Sequence, residues 1–309
     1  MATKDKQAQT SIRPRRADVF LFSQVRTASN LLTRLLSTQP GWTQAEYHFL
    51  YTHVWAVDIS CAGGMNQEYR GRVEEGFRKL EEARQTAIAE DKSLFVKNHV
   101  CNVLQPSTFL KGFEDAQPIV HPDGRAEATN PTIFSDEYLL QWKPIFLVRH
   151  PLLTVESWYK AESRVRRIKI QDAEWICQTT YRYIRQLYDW YTARAEATRR
   201  PIVIDADSVI AGGSAMGTLC DECGMDVDKI AYEWEARPIA GGASPRTRSF
   251  LQGIRESTAV DGTRTARDVD AGKRVEEWKT EFGEGVAEGL RGLVERAMAD
   301  YEYMKRRAV

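Results

Sequence analysis

FLFSQVRTASNLLTRLL, residues 20–36, sets an apolar run against a short polar turn and then a leucine-rich helical pattern. Phosphate-binding loops share that plan. The first amides of a helix lack intrahelical partners, and the helix dipole favours an anion there. This turn holds neither glycine nor lysine. Arg26 supplies a permanent charge, and Thr27, Ser29 and Asn30 supply further donors. The Walker spacing G-x-x-x-x-G-K-[ST] is absent, which argues against an ordinary ATPase or GTPase. A plainer reading competes on equal terms: Ser29 merely caps the helix.

Working outward, strands and helices alternate. Residues 18–24, 93–99 (SLFVKNH), 143–150 (KPIFLVRH) and 200–210 (RPIVIDADSVI) read as strands. The unbroken apolar run in the third suits a strand buried on both faces. Helices are expected over 29–38, 66–91, from Leu152 onward, and over 173–197, 214–224 and 275–305. In the second, Val73, Phe77, Leu80, Ala83 and Ala87 form the buried stripe. In the fourth, Cys177, Tyr181, Ile184, Tyr188 and Tyr191 recur at helical spacing, which reads as core. Residues 111–143 and 240–273 read as loops, and a loop as long as the first suggests a lid. The expectation is an α/β fold with a central, mostly parallel sheet flanked by helices.

Ligands in such folds sit at the carboxyl ends of strands. After the second strand come Lys97, Asn98 and His99. Lys97 and His99 share one face of an extended chain, and an ammonium beside an imidazole suits charge stabilisation coupled to proton abstraction. After the third come Arg149, His150 and Pro151, with Ser157 eight residues on; Arg149 and Ser157 are placed to grip one phosphate. The competing readings are a structural histidine, a surface arginine and a solvated serine. His150 is read as packing or capping. The run Arg164, Arg166, Arg167 and Lys169 reads first as a solvated face and second as a wall for an anion.

Composition narrows the class. The chain has 309 residues, 43 Lys plus Arg balanced by 43 Asp plus Glu, and 42% hydrophobic residues, so no global charge points to nucleic acid. No apolar run reaches the length of a membrane span. Residues 1–17 carry five basic side chains and one acidic and read as a disordered basic tail ahead of a single domain over 18–309. Five cysteines form no even disulfide framework, and one C-x-x-C (Cys220, Cys223) has no second ligand pair for a metal. A cytoplasmic location is expected.

Taken together, these segments resemble the sulfotransferase superfamily, whose fold is P-loop NTPase-like. Arg26, Thr27, Ala28, Ser29 and Asn30 resemble its 5′-phosphosulfate loop, and Lys97-Asn98-His99 its K-T-H segment. Arg149 and Ser157 match the spacing of its 3′-phosphate motif, and Trp278, Lys279 and Phe282 its W-K-x-x-F segment. The resemblance implies transfer of a sulfuryl group from 3′-phosphoadenosine-5′-phosphosulfate (PAPS) to a small-molecule hydroxyl, leaving 3′,5′-ADP. His99 would be the general base, Arg26 and Lys97 would stabilise charge, and Arg149 and Ser157 would hold the 3′-phosphate. Two departures stand out. Ala28 replaces the loop glycine, and the family's R-K-G segment is absent; Arg264, Arg267 or Lys273-Arg274 are candidates to replace it. Tyr47, His48, Phe49, Tyr51, His53 and Trp55 suit an aromatic or polyketide-like acceptor if they are not simply core. No metal is implied. Oligomeric state stays open, a homodimer included. Two other readings remain: an enzyme on this scaffold that no longer sulfates, and a non-catalytic binding protein.

Overall fold

A computed structural model describes residues 16–59, 66–109, 129–171 and 173–309. Its centre is a five-stranded sheet in the order β2-β3-β1-β4-β5, with every pairing parallel. The strands are β1 (Val19–Ser23), β2 (Trp42–Glu46), β3 (Ser93–His99), β4 (Lys143–Val148) and β5 (Ile202–Asp205). The helices between and after them are α1 (Ser29–Leu35), α2 (Leu50–Ile59), α3 (Asn66–Ala89), α4 (Asp136–Leu140), α5 (Pro151–Glu162), α6 (Ala173–Thr179), α7 (Arg182–Arg194), α8 (Ala206–Ala211), α9 (Ser214–Cys223), α10 (Pro245–Glu256), α11 (Ala271–Phe282) and α12 (Glu284–Lys305).

Alternation along the strands divides the core in two. Phe20, Phe22, Val96, Phe146 and Val148 face one layer with α3, α5, α7 and α12. Val19, Leu21, Phe95, Ile145, Leu147 and Ile204 face the other with α1, α8 and α9. Cys220 and Cys223 pack into this second layer as buried free thiols. In α3, Val73, Phe77, Leu80 and Ala87 are buried and Ala83 packs partly against them, as the stripe requires. The register sets Ser23 beside His99 and Leu21 beside Lys97, so the ends of β1 and β3 finish level.

Several sequence expectations need correcting. Residues 200–210 are not one strand: β5 stops at Asp205, whose carboxylate accepts the Asp207 amide at 2.9 Å and starts α8. Residues 173–197 are two helices, because the Gln24 side chain donates to the carbonyls of Cys177 and Thr180 and ends α6. The last helix breaks at Gly283, where φ is 88°. The 240–273 segment contains α10, with Pro245 in its first turn and the Ser244 hydroxyl accepting the Thr247 amide at 3.1 Å. Within 111–143, residues 111–128 lie outside the described residues. The remainder is largely ordered, with α4 capped by Ser135. The expected tail over 1–17 lies, except for its last two residues, outside them as well. Among the described residues no helix is long and apolar enough to cross a membrane.

Candidate active site

The loop after β1 is held in an unusual backbone. Arg26 and Ala28 have φ of 67° and 63°, in the left-handed region that costs a side-chain-bearing residue about 1–2 kcal/mol. The Thr27 hydroxyl closes the turn on the Gln24 carbonyl at 2.7 Å. Ala28, not Ser29, is the N-cap of α1, and it makes no side-chain cap. The capping reading of Ser29 therefore fails. Strain of this sort persists where the surroundings over-determine the backbone, commonly at ligand sites. Ala28→Gly removes the misfit and a partly packed methyl together. A net gain of about 0.5–1 kcal/mol is expected in a urea melt; a lower midpoint would show that the methyl's packing outweighs the backbone.

Arg26 turns toward α5 and α10. Its Nε donates to the Ser157 hydroxyl at 2.9 Å, and one terminal nitrogen donates to the Phe250 carbonyl at 2.9 Å. Its guanidinium lies 5.3 Å from the Phe250 ring centre. Arg149 makes no direct hydrogen bond to Ser157. It donates instead to the Arg26 carbonyl at 3.1 Å and the Arg264 carbonyl at 2.8 Å. The buried Nε of Arg149 has no hydrogen-bond partner among the described residues. Burial first, then the charge of Arg149, pulls the Arg26 pKa down to about 10, with Arg264 and Arg164 adding to the repulsion. Arg26 and Arg149 thus form a half-buried, mutually repelling pair of cations, with the Ser157 hydroxyl bonded to Arg26. Among the basic candidates of the 264–274 region, Arg264 meets Arg149 through its backbone carbonyl, while its exposed guanidinium pairs with Asp261 at 2.8 Å. Arg274 is engaged by Glu156 and Glu277, and Arg267 lines a separate cleft with Asp205, Asp207 and Lys305.

His99 closes the other side. Its Nδ1 meets the Ser23 hydroxyl at 2.8 Å and its Nε2 meets the Tyr47 hydroxyl at 3.2 Å. Burial, then the charges of Lys97 and Arg26, depress its pKa to about 3, so the ring is neutral at physiological pH. Lys97 is fully buried. Its ammonium pairs with Glu46 and donates to Asn30 Oδ1, so much of its charge is compensated before any ligand arrives. His150 accepts the Leu152 amide at 3.2 Å and caps α5, one of the two roles foreseen for it. Tyr47, which the sequence offered only as one of several aromatics, meets both His99 and Lys97 in this site. Phe49 and His53 of the same stretch are buried, while Tyr51 is exposed.

The buried histidines set an acid limit on the fold. His53, held to about 3 by burial and then by Arg246 and Arg166, and His99 are neutral when folded but titrate near 6.5 when unfolded. The unfolded chain therefore binds more protons as pH falls below that value, and stability is lost downward from about 6.5. Each histidine is expected to withdraw about 2 kcal/mol between pH 6.5 and 5, read as falling urea midpoints. Midpoints unchanged over that interval would mean the imidazoles reach solvent.

No family model matches the chain. Two curated relatives are similar to it along nearly their whole length. Sulfotransferase ppzF of Metarhizium rileyi is 28% identical over 322 residues, covering 93% of this chain and 95% of that protein. Sulfotransferase ppzF of Metarhizium majus is 29% identical over 327 residues, with the same coverage. Among solved structures, the sulfotransferase domain of the Synechococcus olefin synthase matches with a TM-score of 0.44 at 15% identity, covering 89% of this chain and 98% of that one.

Proposed function

We propose that this chain is a divergent member of the sulfotransferase superfamily, supported by its similarity to two curated sulfotransferases, and that it transfers a sulfuryl group from PAPS to a hydroxyl of a small-molecule acceptor. The observation that carries the reading is the half-buried pair of cations Arg26 and Arg149 at the ends of β1 and β4, next to a neutral imidazole at the end of β3. Neutral His99 carries a basic ring nitrogen that can take up a proton, and the guanidinium groups have charge to offer an anion.

The residues fit a doubly phosphorylated nucleotide. Among the described residues, Arg149 presents an unpartnered, buried Nε, and the Arg26 guanidinium donates to a neutral hydroxyl and a neutral carbonyl. Exchanging such partners for phosphate oxygens forms charge-assisted hydrogen bonds roughly twice as strong as neutral ones. When bound, PAPS supplies an activated sulfuryl group whose leaving group is a phosphate. Arg26 and the Thr27–Asn30 turn would hold the phosphosulfate end, while Arg149 and Ser157 would hold the 3′-phosphate. His99 would receive the acceptor's proton, and Arg26 and Lys97 would offset the charge that develops on the departing phosphate.

Incubation with 35S-labelled PAPS and a panel of phenols and alcohols tests this. Label is expected on at least one acceptor class; uptake on none, with no displacement of PAPS by 3′,5′-ADP, would remove the reading.

A further inference from the structure

His99 Nε2, the atom that would take the acceptor's proton, is already engaged by Tyr47. This phenol lies at the centre of the site. Its hydroxyl is 3.2 Å from His99 Nε2 and 3.5 Å from Asn30 Oδ1, and its ring lies 4.5 Å beneath the Lys97 ammonium. Tyr47 is also among the groups that act electrostatically on Arg26. Its backbone is fixed as firmly. The Tyr47 amide donates to the Lys97 carbonyl at 2.9 Å, its own carbonyl accepts the Leu50 amide at 3.2 Å, and φ is 61°. A tyrosine in the left-handed region costs about 1–2 kcal/mol relative to ordinary backbone. The fold holds this half-buried residue there, directly after the edge strand β2, with its hydroxyl against the imidazole. A strained backbone that aims a polar group at a catalytic nitrogen points to a working residue.

We propose that Tyr47 is a catalytic residue that touches the acceptor and relays its proton to His99. The inference rests on the sulfuryl-transfer reading for its chemistry. In the step, the acceptor oxygen bonds to sulfur while the sulfur–oxygen bond to the nucleotide phosphate breaks, its electron pair leaving on that phosphate. The acceptor's proton passes to the Tyr47 oxygen as the Tyr47 proton passes to His99 Nε2. Imidazolium then forms with Nδ1–H directed to the Ser23 hydroxyl. The relay requires the resting tautomer to carry its proton on Nδ1, with Ser23 accepting it. Lys97 over the ring stabilises the negative charge that develops on the phenol oxygen during transfer.

Tyr47→Phe tests the idea, because it keeps the ring and removes only the hydroxyl. In the labelled-PAPS assay kcat is expected to fall by about 10²–10⁴-fold, the usual range for one proton-transfer group, with KM changed by no more than about threefold. A double variant with His99→Gln should lose no more than the larger single loss, since the two residues act as a unit. A Tyr47→Phe enzyme as fast as wild type, or faster, would make Tyr47 a plug and overturn the relay. A second readout is independent of turnover. Side-chain 15N spectra are expected to show His99 protonated on Nδ1, with an Nε2 signal that moves toward the free pyridine-type position in Tyr47→Phe. A proton on Nε2, or a signal indifferent to the substitution, overturns the relay even if the chain never uses PAPS. Wild-type protein that transfers no label while passing the 15N test would instead count against the sulfuryl-transfer reading alone.

Discussion

His99→Ala is expected to lower label transfer by about 10²–10⁴-fold while leaving nucleotide affinity nearly unchanged. The ring contacts Ser23 and Tyr47 and makes no hydrogen bond to Arg26 or Arg149, so the guanidinium cluster should survive its loss. Truncating a buried imidazole also leaves a cavity and the unpaired hydroxyl of Ser23. His99→Gln therefore serves as the companion, since a carboxamide can still meet Ser23 but is no base. Both variants should melt cooperatively and bind 3′,5′-ADP. If either turns over at the wild-type rate, the proton leaves by another route and His99 is structural.

The second large effect belongs to Arg149. Arg149→Ala removes the unpartnered donor and the side chain that bridges the Arg26 and Arg264 carbonyls. Losing one side of a desolvated charged contact costs about 2–5 kcal/mol of binding, which is roughly 30-fold or more in affinity for 3′,5′-ADP. Arg149→Lys keeps the charge and loses the planar fork, so an intermediate loss of about tenfold is expected. Calorimetric titration of the three proteins reads this directly. Equal affinities in all three would mean that Arg149 serves only to brace the Arg26 loop.

The parts of the molecule that were legible in the sequence are those whose cause is local. β3 begins and ends where SLFVKNH does, with every position from Ser93 to His99 buried. The start of α5 was marked by Pro151, and the stripe of α3 by its spacing. The parts that were not legible have causes far away in the chain. The break between α6 and α7 is made by Gln24, more than a hundred and fifty residues earlier, while the helical spacing of buried aromatics runs on across it. β2 is a five-residue edge strand with Thr43, Gln44 and Glu46 on it, a pattern too short and polar to separate from loop. α10 did carry a signal, Ser244 followed by Pro245, hidden by its Gly- and Arg-rich surroundings.

The site divides in the same way. The residue types at the strand ends were readable, because strand ends in a parallel sheet converge. Their pairing was not. Ser157 meets Arg26 rather than Arg149, since the left-handed backbone at Arg26 and Ala28 redirects that side chain toward α5. Lys97 is compensated by Glu46 through the strand β2 that the sequence concealed. Tyr47 escaped for the same reason: nothing in its neighbours reports that the chain turns there to bring a phenol against His99.

The account depends most on a cluster of guanidinium groups assembled to hold a nucleotide by its 3′-phosphate as well as its 5′ end. Calorimetric titration with 3′,5′-ADP and, separately, with 5′-AMP tests that most directly. Saturable binding of the first at one site per chain, weakened by about 30-fold or more for the second, is the expected result. No binding of either, or equal affinity for both, would contradict it.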